Sequence, residues 1–229
     1  MMFYGYGGVL AIGVWQTIQL ALLSLLVSVV IGLAGASAKL SSATGLRAIA
    51  TAYTTLIRGV PDLVLMLLIF YSIQIGLNHV TDALHWDQID IDPFVAGVLT
   101  IGFIYGAYFT ETFRGAFISV PRGQLEAGAA FGMTGGQVFR RVLFPQMMRF
   151  ALPGLANNWQ VILKATALVS IIGLSDIVKA ATDAGKGTFN MFYFMIWLAV
   201  IYLVLTSLSN LVLNKLNKRY AVGVRGAQL

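Results

Sequence analysis

The first 38 residues carry no charged side chain, and that run constrains the fold more than any other feature of the chain. An α-helix needs about 20 apolar residues to cross the hydrocarbon core of a bilayer, so a spanning helix is expected almost at the amino terminus. A cleavable signal peptide would place Lys or Arg ahead of its apolar run, whereas the first cation here, Lys39, lies behind it. The first segment is therefore expected to be retained. The remainder agrees, since 58% of the 229 residues are hydrophobic and 10% charged, too apolar a balance for a water-soluble globule of this size. The sequence has no cysteine, which excludes a disulfide framework, a thiolate nucleophile and a Cys-based zinc site.

Apolar lengths with at most one charged residue predict five spans, over residues 9–36, 60–77, 94–110, 150–174 and 191–213. An odd number puts the termini on opposite sides. Lys39, Arg47 and Arg58 follow span one, Arg114, Arg122, Arg140, Arg141 and Arg149 separate spans three and four, and Lys215, Lys218, Arg219 and Arg225 close the chain. These regions hold twelve of the fifteen cations, while the opposite connections hold Lys179, Lys186 and the acids Asp82, Asp87, Asp90 and Asp92. The positive-inside rule then predicts an external amino terminus and a cytoplasmic carboxy terminus. It also accounts for the net charge of +6 without an acidic partner such as nucleic acid.

Span two has two readings. An apolar run starts at Ala48 and is interrupted by Arg58, Gly59, Pro61 and Asp62, so the helix begins before the break and is kinked, or begins after it. In span three, Gly102 and Gly106 lie four apart on one face and are expected to pack against another helix of the same chain. No linker, repeat or low-complexity stretch divides the sequence, so residues 1–229 read as one bundle.

The longest cationic connection contains Glu126, Ala127, Gly128, Gly132 and Pro145. Small residues around Ala127 would give a short helix a narrow profile able to enter a cleft on another protein. Gly132 permits the turn that ends it. A second short helix is expected over residues 137–143, where Val138 and Phe139 stand beside Arg140 and Arg141. The loop, at about 120–147, is thus expected to hold two short helices set at an angle.

This segment resembles the EAA loop of bacterial ABC import permeases, whose pattern is Glu-Ala-Ala, three residues, Gly, nine residues, Ile, one residue, Leu, Pro. Glu126, Ala127, Gly132 and Pro145 match, Val142 replaces Ile, and Gly128 and Phe144 depart from it. Tyr53 to Pro61, Tyr108 to Ala116, Leu152-Pro153-Gly154 and Asn157-Asn158-Trp159 extend the resemblance to the polar amino-acid uptake permeases, nearest to those carrying histidine, lysine, arginine and ornithine. The resemblance implies an all-α, MetI-like membrane domain of five transmembrane helices with cytoplasmic coupling helices. It implies a second homologous permease, two copies of an ABC ATPase and a periplasmic substrate-binding protein, in the inner membrane. ATP and Mg would sit on the ATPase, with no cofactor on this chain. Glu126, Ala127, Gly128, Gly132, Arg140 and Pro145 would couple to the ATPase, whose closure on ATP would switch the bundle between inward-open and outward-open states.

Polar groups at membrane depth tend to face a bundle interior or a water-filled path, which makes Glu111, Asn157, Asn158, Gln160 and Lys164 candidates for the substrate pathway. Lys164 lies too deep to snorkel, so it either borders the path or pairs with an internal carboxylate such as Glu111. It would not attract a cationic substrate. Asn157 and Gln160 are spaced to share one face and either offer uncharged donors and acceptors to an amino acid or bond between helices. Glu111 with Arg114, and Arg58 with Asp62, have helix-pair spacing and would be surface pairs or a gate.

Other motifs carry less. Gly185-Lys186-Gly187-Thr188 lacks the spacing of a phosphate loop. His79 and His85 lie in an acidic loop without metal-ligand spacing. No nucleophile or metal constellation supports an intramembrane enzyme, so no catalytic residue is assigned. A passive channel or a permease for another polar solute is the rival reading; the channel would leave the coupling-type loop without a purpose.

Overall fold

The computed structural model describes residues 2–220. Five of its helices are long and apolar enough to cross a membrane: Gly7–Leu40, Asp62–Ala83, Pro93–Ile118, Gly135–Ile172 and Met191–Tyr220. The elements are α1 (Gly7–Leu40), α2 (Thr44–Gly59), α3 (Asp62–Ala83), α4 (Pro93–Ile118), α5 (Arg122–Ala130), α6 (Gly135–Val138), α7 (Phe144–Ala165), α8 (Ile177–Gly187) and α9 (Met191–Tyr220). All five predicted spans are present, and all run longer than the apolar stretches that predicted them. The cause is that charged end residues such as Lys39 and Arg114 continue the helices beyond the apolar stretch.

The two readings of span two resolve in favour of a break. The ring of Pro61 disfavours helical geometry at the preceding residue, and Val60 is extended at φ −114°, ψ 141°. Residues before it form α2, a separate amphipathic helix that buries Ala50, Thr54 and Ile57. Span two begins afresh at Asp62. At α4, Asp92 caps the amino end by accepting from Val95 N–H at 2.9 Å, with Pro93 in the first turn, where its missing N–H costs nothing.

The centre of the bundle is the contact of α1 with α4. Lipid tails are as apolar as leucine, so helices associate in a membrane through close packing and interhelical hydrogen bonds. Small residues supply the closeness. A Cβ on Gly32 would strike Phe109, one on Gly35 would strike Thr110, and one on Gly102 would strike Val27. At Gly106 it would lie 2.6 Å from Ile31. Ser28 Oγ donates to Ser24 O at 2.7 Å, with Gly102 O 3.2 Å away across the seam. The expectation that Gly102 and Gly106 pack within the chain is met. Leu20, Ile101, Ile104, Phe109, Ile162 and Leu163 fill the core between α1, α4 and α7.

At the opposite end from α5, a smaller cluster holds α8 against α1 and α9 through Leu10, Ile177, Ala181, Ala184 and Phe194. Asp176 caps α8, its Oδ1 accepting from Lys179 N–H at 3.0 Å. Ile177 N–H donates to Thr17 Oγ1 at 3.2 Å, and a Cβ on Gly13 would lie 2.9 Å from Ile177 Cα. Gly185 and Lys186 belong to the last turn of this helix.

Candidate functional site

The loop after α4 is built around one tight reversal. At the end of α5, Gly132 N–H donates to Ala129 O at 2.9 Å and Met133 N–H to Gly128 O at 3.1 Å, the Schellman arrangement. It requires a left-handed residue, supplied by Gly132 at φ 77°. Across the turn, Thr134 N–H donates to Gln137 Oε1 at 2.9 Å, satisfying a donor at the start of α6.

The second short helix expected over residues 137–143 is not a separate element. α6 passes through a π-helical turn, Phe139–Leu143, directly into α7, so Gly135–Ile172 runs as one span. A proline in a regular helix lacks a donor and its ring clashes with the carbonyl four residues earlier. The wider turn just before Pro145 accommodates it without a break.

Glu126 and Ala127 are exposed on α5, as are Ala129 and Ala130. Gly128 is buried against the span, where an added Cβ would lie 3.3 Å from Val138 and 3.5 Å from Val142. Its small size therefore seats α5 on its own chain rather than presenting a narrow face outward, which corrects the expectation for that position. Arg140 and Pro145 are exposed on the π-helical turn and at the start of α7. Phe131, overlooked in the sequence, is 87% exposed at the tip of the reversal. An aromatic residue flanking the terminal glycine, outside any apolar face, was the available signal.

The polar residues of α7 separate into two groups. Asn158 is buried and its Nδ2 donates to Thr112 Oγ1 on α4 at 3.2 Å, while Gln160 Nε2 donates to Asn210 Oδ1 on α9 at 2.5 Å. Both act as interhelical bonds. Asn157 and Lys164, seven residues apart and so two turns along one face, are exposed. The alternative of a Lys164 to Glu111 pair is excluded: Lys164 has no carboxylate within 4 Å among the described residues. It lies in the last turn of α7, where the helix tightens into the 3₁₀ segment Thr166–Ile172.

Glu111 belongs to a different cluster, at the end of the bundle that carries α5. It pairs with Lys39 of α1 and accepts from Arg114 Nε at 2.9 Å. The expected Arg58 to Asp62 pair is absent. Arg58 lies over the Tyr108 ring, 5.4 Å from its centroid, and Asp62 accepts from the Tyr105 hydroxyl at 2.7 Å.

A loop of this form between two spans is set against known families by residues 28–222, which match the binding-protein-dependent transport system inner membrane component. The chain belongs to this family. The permease is 64% identical, over the whole of both chains, to the histidine/lysine/arginine/ornithine transport system permease protein HisQ of Salmonella typhimurium. Among solved structures it resembles an amino acid ABC transporter crystallised with histidines, at 32% identity and a TM-score of 0.78, over 93% of this chain and 95% of that one. The inward-facing MetNI methionine ABC transporter shares the fold at 18% identity and a TM-score of 0.69, over 93% of this chain and 96% of that one. The permease is thus a multi-pass, all-α inner membrane component with the MetI-like fold.

Proposed function

We propose that the permease forms half of the transmembrane pathway of an ATP-binding-cassette importer for polar, in particular basic, amino acids: histidine, lysine, arginine and ornithine. The name of the Salmonella typhimurium relative supports that substrate class. In this reading the other half is a HisM-like permease. Two HisP-like ATPases carry ATP and Mg, and a periplasmic binding protein delivers the substrate. The amino terminus faces the periplasm and the carboxy terminus the cytoplasm, following the cation distribution.

The observation that carries the mechanism is the unbroken path from α6 through the π-helical turn into α7. A push on α5 reaches α6 through the Gly132 reversal and the Gly128 contact with Val138 and Val142. From α6 it reaches a membrane span with no flexible link between. Closure of the ATPases on α5 would tilt α7 against α4, a rigid-body switch between two access states. Asn157 and Lys164 lie on the exposed stripe of that moving span and are the pathway candidates retained. Glu111, Asn158 and Gln160 then serve the packing of the bundle. A cationic cargo gains nothing from Lys164, so the carboxylate that selects it is assigned to the partner permease.

Uptake of labelled basic amino acids by proteoliposomes containing the full complex tests this reading. Accumulation should require ATP and fall to background with Glu126→Lys, while inserted protein and bound ATPase persist. Accumulation without ATP would contradict it.

A further inference from the structure

A cavity of about 490 Å³ opens at the end of the bundle that carries α5. Its charged lining is Lys39, Arg58, Arg114 and Glu111, one carboxylate for three cations. That carboxylate is fully engaged, one oxygen with Lys39 and the other with Arg114 Nε. Arg114 has no hydrogen bond from its terminal guanidinium nitrogens among the described residues. Arg58 is exposed and has no carboxylate within 4 Å among the described residues. Asp62, four residues beyond it, is held by Tyr105. Tyr108, under the Arg58 guanidinium, and the exposed Thr55 add hydroxyl groups to the wall.

We propose that this cup binds a phosphate-bearing anion. Two guanidinium groups with free forks, an ammonium and two hydroxyls match the tetrahedral oxygens of a phosphate better than a single flat carboxylate. The net charge of the lining disfavours a cationic amino acid as its occupant. Depth decides the natural source. Lys39 and Arg58 lie in the last turns of α1 and α2, and Arg114 lies near the carboxy end of α4, so the cup is at the level where a span leaves the hydrocarbon. Basic pockets between helices at that level hold the headgroups of anionic phospholipids. The site takes the phosphodiester of such a lipid, with free phosphate as the other source of the same chemistry. This requires only that the chain spans a membrane and is independent of the substrate.

The test uses the assembled importer in nanodiscs of equal phosphatidylglycerol and phosphatidylcholine, released into a mass spectrometer with lipids attached. Arg58→Gln should retain at least about fivefold less phosphatidylglycerol than the unmodified complex, with phosphatidylcholine unchanged. In phosphatidylcholine discs, protection from heat by millimolar inorganic phosphate, lost in Arg58→Gln, would assign the site to the free anion. Thr55→Asp, at an exposed position, places a second carboxylate in the cup without removing a cation and should reproduce either loss if Arg58→Gln does not assemble. Equal phosphatidylglycerol retention and no response to phosphate, in unmodified and substituted complexes alike, would overturn the proposal.

Discussion

The carboxylate of Glu111 on α4 is held by the ammonium of Lys39 at the end of α1, 72 residues earlier in the chain. The two side chains are 19% and 10% exposed, so the pair is mostly withdrawn from water at the wall of the cup. Breaking a buried pair on one side strands a charge, which costs about 3 kcal/mol or more, whereas removing both sides is often near neutral. Glu111→Ala should therefore lower unfolding stability in detergent by about 3 kcal/mol. Lys39→Met combined with Glu111→Leu should recover most of that loss. A double variant no more stable than Glu111→Ala would show that the pair is not the source.

The α1 to α4 seam should be equally intolerant of added volume. Gly32→Val places a branched side chain where Phe109 already stands. Overpacking of this kind costs about 1–3 kcal/mol. The thermal midpoint of the purified permease should fall accordingly, while Gly45→Ala, where an added Cβ meets nothing within 4 Å, should leave it unchanged.

Phe131 presents an aromatic ring to solvent at the point of the α5 reversal. Buried aromatic anchors at the centre of an interface contribute about 2 kcal/mol or more to binding. Phe131→Ser should leave insertion and thermal stability as they are and weaken ATPase association by about that amount, read by titration of the ATPase onto the reconstituted permeases.

At the far end of the bundle, burial pushes the Asp176 carboxyl up to about 6 from its ordinary 3.8, against the backbone N–H groups of Lys179 and Val178, which pull it down. A raised carboxyl pKa means that the folded state binds the proton more tightly than the unfolded one. Its stabilising contribution is complete below pH 3.8, declines as pH rises to about 6, and changes no further above that. Docking of α8 should thus be firmer at pH 5 than at pH 7.5, by at most about 1.4 kcal/mol, the share of the shift that lies between pH 5 and about 6. Asp176→Asn keeps the cap and removes the titration, so the thermal midpoint of that variant should lose this share of the pH dependence. An identical pH profile in both proteins would exclude Asp176 as its source.

The spans were legible because each carries its own evidence: the charge-free run before Lys39 requires a helix whatever lies next to it. The reversal after α5 was legible from Gly132, whose backbone demand is local. Lys39 was read only as a flanking cation, because its partner Glu111 lies 72 residues away and spacing along one helix cannot bring them together. The same limit hid the partners of Asn158, bonded to Thr112 on α4, and of Gln160, which spacing grouped with Asn157 and which is bonded to Asn210 on α9. α8 escaped notice because it is amphipathic and too short to span, so neither length nor charge marks it. The second loop helix was misjudged for a local reason, since a π-helical turn at Phe139–Leu143 lets the helix continue past the end expected at residue 143.

The central claim is that α5 receives force from an ATPase on the cytoplasmic side and passes it to α7. The chain has no cysteine, so Glu126→Cys provides a single reporter thiol. A membrane-impermeant maleimide should label it in inside-out vesicles and not in right-side-out ones, and bound ATPase should protect it. Labelling from the outside, or equal reactivity with and without the ATPase, would contradict the account.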